Sequence, residues 1–459
     1  MPAIPLLDLG FLQTETDQAH MHFGGLLLFE KPADLPDVVE RLHTHWLTCD
    51  RVQPPFNYVP VRDERSAYLL PRWSELDQVP LAEHVHRLEL PPGSDRAALL
   101  RAVEPLHSAR LDRGRPLWQV WLIDGVPGQT FAVYVKVHHA IFDGHGGLRF
   151  FARMLAEDPA TAPLTPFWAA RGAVPQSGQP QALLDQVLGL AGSWRDQATG
   201  LARNALEAQR HLLRWLQDPS HVAPPAFSEP ECLLNGRLSG QRRLAHVHLP
   251  LADLARAGAA AGASVNDVLL CITGGAVRRY LKQRGALPRR SLTALVPVSL
   301  RPHDDPPHAG NRLTFVPVTL ATDIASEHDR LNVIRASAAD AKARLRGLGE
   351  VAATQYGLLV NGLVALTQTA GLRLYGATPA NLVVTNLSGP DQPRYLGGAR
   401  LQQVYAHAPM ANGVGLNVAL VSYAGSACLG LTADPDLVDD LDELARWFEV
   451  AVGALAHDH

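Results

Sequence analysis

Between Thr130 and His139 the chain alternates with a period of two. Phe131, Val133, Val135 and Val137 share one parity with His139, and Ala132, Tyr134, Lys136 and His138 share the other. Successive strand side chains point to opposite faces, so the pattern predicts a strand with an apolar face continued by His139 and a more polar face continued by His138. Just upstream, PLWQVWLIDGV (Pro116 to Val126) has the same texture, and the Gly-Pro-rich turn between the two predicts a hairpin. HFGGLLLFE (His22 to Glu30) also reads as a strand, whereas LPDVVERLHTHWLT and GLRFFARMLAED carry helical apolar spacing. This mixture predicts a layered α/β domain over residues 1–175.

The texture then changes. Pro180 to Asp218 is helical in pattern, broken by Gly189, Gly192 and Gly200 and bracketed by Pro-rich segments, which marks residues 176–226 as an interdomain connection. Its Leu, Val and Trp content, Trp194 and Trp215 included, suits either a core or a lipid surface. Residues 227–459 predict a second α/β region. RRLAHVHLPL, SLTALVPVSLRP, RLTFVPVTL and NLVVTNLSGP read as strands, and ADLARAGAAAGASVNDVLL opens a helix pair with a break near Gly262. LNVALVSYAGSACLGLTA predicts two buried strands around a small-residue turn, and an amphipathic helix closes the chain.

Bulk composition narrows the classes. With 459 residues, 47% apolar and 19% charged, the chain can bury two sizeable cores. A formal net charge of -4 argues against general nucleic-acid binding. Cys49, Cys232, Cys271 and Cys428 form no Cys-x-x-Cys pair, so reduced thiols in a cytoplasmic protein are expected. The first residues lack a basic segment followed by an apolar one, and no export signal is expected. The uncharged run from Leu401 to Ala433 is interleaved with Gly, Pro, Asn, Ser and His, and no transmembrane helix is expected there.

The chemistry concentrates where the first strand pattern stops. His138 and His139 are followed by Asp143 and by Gly144, Gly146 and Gly147, which permit a tight turn. An imidazole on an apolar face stays neutral because desolvation disfavours its charged form, and a neutral imidazole is what a general base requires. A structural histidine pair and a His-His-Asp metal site also fit these residues, although adjacent strand histidines diverge and no other ligand cluster accompanies them. Asp143 could orient an imidazole or pair with an arginine.

HHAIFDG (His138 to Gly144) matches the HHxxxDG signature of coenzyme A-dependent acyltransferases. PLW (Pro116 to Trp118), SVNDVLL (Ser264 to Leu270), VPVSLR (Val296 to Arg301), Gly310-Asn311, TNLSGP (Thr385 to Pro390) and LNVALVSYAG follow in the order seen in bacterial wax ester synthase/diacylglycerol acyltransferases. The chain resembles that family over nearly its whole length, including its opening LLDLGFLQTETDQAHMHFGGLLLFE. It departs at His145-Gly146-Gly147, where an apolar residue and Ser-Gly are more frequent, and at TNLSGP, where Val-Pro-Gly-Pro is usual. Both departures bear on acceptor preference.

The resemblance implies an α/β fold of two chloramphenicol acetyltransferase-like domains with a tunnel at their interface. It implies transfer from long-chain acyl-CoA to a fatty alcohol or diacylglycerol, with His139 as base and His138, Asp143 and Asn266 in the catalytic set. Gly144, Thr385 and Asn386 would meet substrate. Asp143 would pair with Arg301 as a structural ion pair, with a catalytic orienting role as the alternative. No metal or redox cofactor is implied, acyl-CoA being a co-substrate, and peripheral contact with a membrane or lipid inclusion fits relatives. Ser264 and Asp267 have the spacing of a capping box, and Trp118 suits packing beside the active strand. RRYLKQRGALPRR (Arg278 to Arg290) could meet coenzyme A phosphates, or simply be a solvated helix end. Tyr356 to Leu372 could line an acyl tunnel or be a core helix. Two other functions share these signals: a carrier-protein-dependent transferase of the condensation-domain type, and a non-catalytic lipid-inclusion coat protein.

Overall fold

A computed structural model of the chain describes residues 4–62, 71–142, 144–169, 209–225, 228–259, 261–299, 313–347 and 380–457. Asp143, Trp194, Arg301, Gly310, Asn311 and the Tyr356–Leu372 segment lie outside the described residues.

The first half supplies α1 (Leu6–Thr14), β1 (His22–Glu30), α2 (Val38–Thr48), β2 (Tyr58–Arg62), β3 (Pro71–Glu75), β4 (Val85–Glu89), α3 (Arg96–Ser108), β5 (Trp118–Val126), β6 (Thr130–His138) and α4 (Gly144–Ala152). Residues 209–217 form α5. Then come β7 (Arg243–Pro250), α6 (Leu251–Ala259), α7 (Val265–Gln283), β8 (Thr293–Ser299), β9 (Leu313–Thr319), α8 (Glu327–Gly347), β10 (Leu382–Ser388), β11 (Tyr395–Leu396), β12 (Ala399–His407), β13 (Leu416–Tyr423), β14 (Ser426–Ala433) and α9 (Leu441–His457). Two six-stranded sheets result, ordered β11-β12-β1-β6-β5-β4 and β7-β14-β13-β10-β8-β9, beside the two-stranded β2-β3 sheet.

The expected α/β architecture is present, and the β5-β6 hairpin and the β13-β14 pair lie where alternation placed them. One crossing was not legible. β12, from the C-terminal half, pairs antiparallel with β1, so residues 227–459 contribute to both sheets. The lobes meet closely on that strand's side. A Cβ on Gly430 of β14 would lie 2.1 Å from the carbonyl oxygen of Ala406 in β12, a separation that only glycine tolerates.

β6 runs through the middle of its sheet and is covered on both sides. Phe131, Val133, Val135 and Val137 join a core that includes Leu27, Phe29, Trp118 and Phe151, while Ala132 and Tyr134 join another with Leu26, Leu28, Leu99 and Trp121. The parity read from the sequence therefore divides two cores. The face expected to be more polar is equally dry. Lys136 is fully buried and donates to the carbonyls of Leu106 (2.8 Å) and Ala109 (2.9 Å) at the end of α3, and burial pulls its ammonium down to about 7. Completing α3's open carbonyls is what makes a buried lysine tolerable there.

Candidate active site

His138 explains why β6 stops. Its ring Nδ1 accepts the Ala140 N–H at 3.0 Å, and its carbonyl accepts the Ile141 N–H at 3.0 Å, turning the chain toward α4. Because Nδ1 accepts, the ring proton sits on Nε2, which faces the Glu15 carboxylate at 3.5 Å. His138 is fully buried, and that burial pulls its pKa below the ordinary imidazole value against the raising effect of Glu15.

His139 lies one residue past the strand and is half-buried. Its backbone N–H donates to the Met21 carbonyl at 2.7 Å. Its ring stacks on Phe11 of α1 (centroids 4.2 Å apart, planes at 25°) and meets Phe23 of β1 edge-on at 5.9 Å. Parity predicted the apolar surroundings of His139 correctly. It also predicted that His138 would be the wetter ring, and the structure reverses this, because a central strand packed on both faces leaves neither parity open.

Glu15 carries no periodic signal in the sequence, yet its side chain is completely buried. Oε1 accepts the Met21 N–H at 3.2 Å. Oε2 accepts from Arg110 Nε at 3.0 Å and from Arg113 Nε and Nη2 at 3.0 and 2.9 Å. Burial alone would raise this carboxyl. The His138 contact, the Met21 N–H and Arg110 outweigh it and hold Glu15 well below the usual carboxylate range.

The remaining expected residues divide. Gly144 opens α4 against β10: a Cβ on it would lie 3.3 Å from Leu387, the neighbour of Asn386. Thr385 and Asn386, both half-buried, are thus on the C-terminal-lobe strand that abuts the HHxxxDG turn. Asn266 is half-buried in the first turn of α7. Ser264 and Asp267 form the capping box, Ser264 Oγ accepting the Asp267 N–H at 3.3 Å and Asp267 accepting the Ser264 N–H at 2.9 Å. Trp118 is fully buried, its indole N–H donating to the Phe56 carbonyl at 2.8 Å. In the basic run, Arg278 donates to the Thr322 carbonyl, Arg279 pairs with Glu327, and Arg284 pairs with Asp439 and Glu443. Half of its cations are thus spent inside the fold, as a helix end would spend them. Among the described residues no group of three or more His, Cys, Asp or Glu could hold a metal ion, and no helix is long and apolar enough to cross a membrane.

The whole chain has counterparts among known proteins. The catalytic domain described as "Wax ester synthase/diacylglycerol acyltransferase catalytic domain" matches residues 5–269, and the WS/DGAT C-terminal domain matches residues 309–456. The chain belongs to the wax ester synthase/diacylglycerol acyltransferase family. It is an acyltransferase. It is 33% identical over 447 residues to a putative diacylglycerol O-acyltransferase of Mycobacterium bovis, covering 96% of each chain. It is 32% identical over 482 residues to a putative diacylglycerol O-acyltransferase of Mycobacterium tuberculosis, covering 98% of this chain and 96% of the relative. The solved wax ester synthase/diacylglycerol acyltransferase of Marinobacter aquaeolei VT8 superposes with a TM-score of 0.75 at 28% identity, over 99% of this chain and 98% of that one. A condensation domain of the calcium-dependent antibiotic synthetase superposes with a TM-score of 0.58 at 16% identity, which establishes the shared fold. The acyltransferase thus has the two-lobed fold that the resemblance implied.

Proposed function

We propose that the acyltransferase moves a long-chain acyl group from acyl-CoA to the hydroxyl of a fatty alcohol or diacylglycerol, giving wax ester or triacylglycerol, with His139 as general base. The observation that carries this is the contrast between the two histidines. His138 is fully buried, its Nδ1 taken by the turn and its Nε2 turned to Glu15 at 3.5 Å, whereas His139 is half-buried with its ring on an aromatic floor.

A ring nitrogen of His139 takes the proton of the acceptor hydroxyl as its oxygen bonds to the thioester carbonyl carbon. The tetrahedral intermediate then collapses, the carbon–sulfur bond breaks, and the proton passes to the departing coenzyme A thiolate. No acyl-enzyme forms, and acyl-CoA is a co-substrate rather than a resident cofactor. General-base assistance contributes about 10²–10⁴-fold, so the greater share must come from aligning two apolar substrates in a tunnel between the lobes. In this reading Gly144, Thr385 and Asn386 line the meeting point, Asn266 steadies substrate or oxyanion from the α7 N-terminus, and Asp143 pairs with Arg301 to brace the turn. The exposure of Leu212, Leu213 and Leu216 on α5 (42%, 50% and 62%) favours peripheral contact with a membrane or lipid inclusion. Family membership favours acyl-CoA over a carrier protein as donor, since the condensation domains share the fold at much lower identity.

The test is direct. Purified protein given palmitoyl-CoA with hexadecanol or with dioleoylglycerol should release thiol and form the matching ester with at least one acceptor. Thiol release without ester, or no turnover with either acceptor, would defeat the reading.

A further inference from the structure

Three of the neighbours of His139 lead to one side chain. The His139 N–H is held by the Met21 carbonyl, while the Met21 N–H is held by Glu15. The chain enters His139 through His138, whose protonated nitrogen faces Glu15. Its ring lies on Phe11, and the next residue, Leu12, gives its carbonyl to Arg113 Nη2 at 2.5 Å, the same guanidinium that forks onto Glu15. Arg110 also reaches Asp17 at 2.8 Å, and Arg242 from the other lobe donates to the Gln18 carbonyl at 2.6 Å. The segment from Leu12 to Met21 is therefore tied at both ends and in the middle, with Glu15 as the common anion.

We propose that Glu15 is a positioning residue for acyl transfer: its buried carboxylate fixes the carbonyl, the neighbouring ring and the aromatic floor that together aim His139. The inference rests on His139 being the base. Glu15 touches no reacting atom. Its charge serves to hold two arginines at the rim and two N–H groups below them, those of Met21 and His138, in one geometry. A neutral amide cannot do this, because its NH₂ group would meet either the guanidinium donors or the Met21 N–H and His138 Nε2–H.

Full-length Glu15→Gln, Glu15→Asp and His139→Ala should be compared with wild type for kcat and for the KM of palmitoyl-CoA and of the acceptor. Glu15→Gln is expected to lower kcat about 10–100-fold while both KM values stay within about twofold, the signature of misaimed chemistry with intact binding. Glu15→Asp, which keeps the anion, should recover part of that loss. A folded Glu15→Gln enzyme with wild-type kcat, or one whose loss is confined to melting temperature and yield, would overturn the proposal. If Glu15→Gln does not fold, Arg113→Lys takes its place. Lysine keeps the charge but not the two-pronged contact, so a several-fold fall in kcat at unchanged KM supports the proposal and a wild-type kcat overturns it. His139→Ala separates the two ideas. A silent Glu15→Gln beside an inactive His139→Ala sinks this inference alone, whereas an active His139→Ala removes the base reading and this inference with it.

Discussion

Two buried polar clusters lie on the same face of β1 and β6, and they solve the problem of burial differently. Beside His139, Glu15 is kept ionised by arginines whose side chains remain 33% and 37% exposed, so the charge is buried while its partners stay near water. Where the lobes meet, the cluster is made of imidazoles. His246 Nε2 of β7 lies 3.1 Å from His407 Nε2 of β12, His407 Nδ1 lies 3.1 Å from Thr432 Oγ1 of β14, and His107 of α3 packs tilted against His407 and hydrogen-bonds Tyr134 at 2.7 Å. His22 stands edge-on to His107, its Nε2 2.7 Å from the His107 carbonyl. Burial holds all four imidazoles below their ordinary pKa, His407 at about 3. An ion survives burial when several donors surround it, and a group that must cross a dry seam survives by being neutral. The first device gives a fixed field beside His139. The second gives a junction that acid can open.

The seam can be broken sterically, and that is the largest effect expected. Gly430 pairs with His246 across β7-β14 and faces Ala406, next to His407. Gly430→Val should cost about 3 kcal/mol or more, because backbone blocks the side chain, and thermal unfolding with soluble yield would report it. Acid should separate the clusters next. The seam histidines bind protons in the unfolded chain below about pH 6.5 but not in the native one, so their stabilisation is present above that pH and is lost as pH falls toward 3. Glu15, whose carboxyl is depressed, contributes stability above about pH 4.5 that is lost only below it. Melting temperature should therefore start to fall below pH 6.5, His407→Gln should flatten the decline between 6.5 and 4.5, and Glu15→Gln should flatten only the part below 4.5. The smallest effect provides a scale. Ser264→Ala removes the capping box of α7 and should cost about 1 kcal/mol, measurable by denaturant titration.

The elements that alternation or helical spacing could announce were legible: β1 matches the predicted residues His22–Glu30, β6 stops at His138, and α6 and α7 break around Gly262. The HHxxxDG turn and the resemblance it carries led to the right family. What stayed hidden is long-range. Nothing local in residues 399–407 says that they pair with β1 rather than with the strands that follow them. Period-two parity correctly put His139 with the apolar residues but could not reveal that the other parity was buried too, since that depends on α3 and β7 covering it. Glu15 was passed over for the same reason. A single acidic residue between a helix and a strand looks like a loop, and its meaning comes from arginines about 95 residues away in sequence.

The central claim is that His139, and not its buried neighbour, moves the proton. The most direct measurement is single-turnover ester formation from palmitoyl-CoA by His139→Ala against wild type, with unchanged thermal unfolding as the control. A fall of about 10²–10⁴-fold is predicted. Ester formation at the wild-type rate would contradict it.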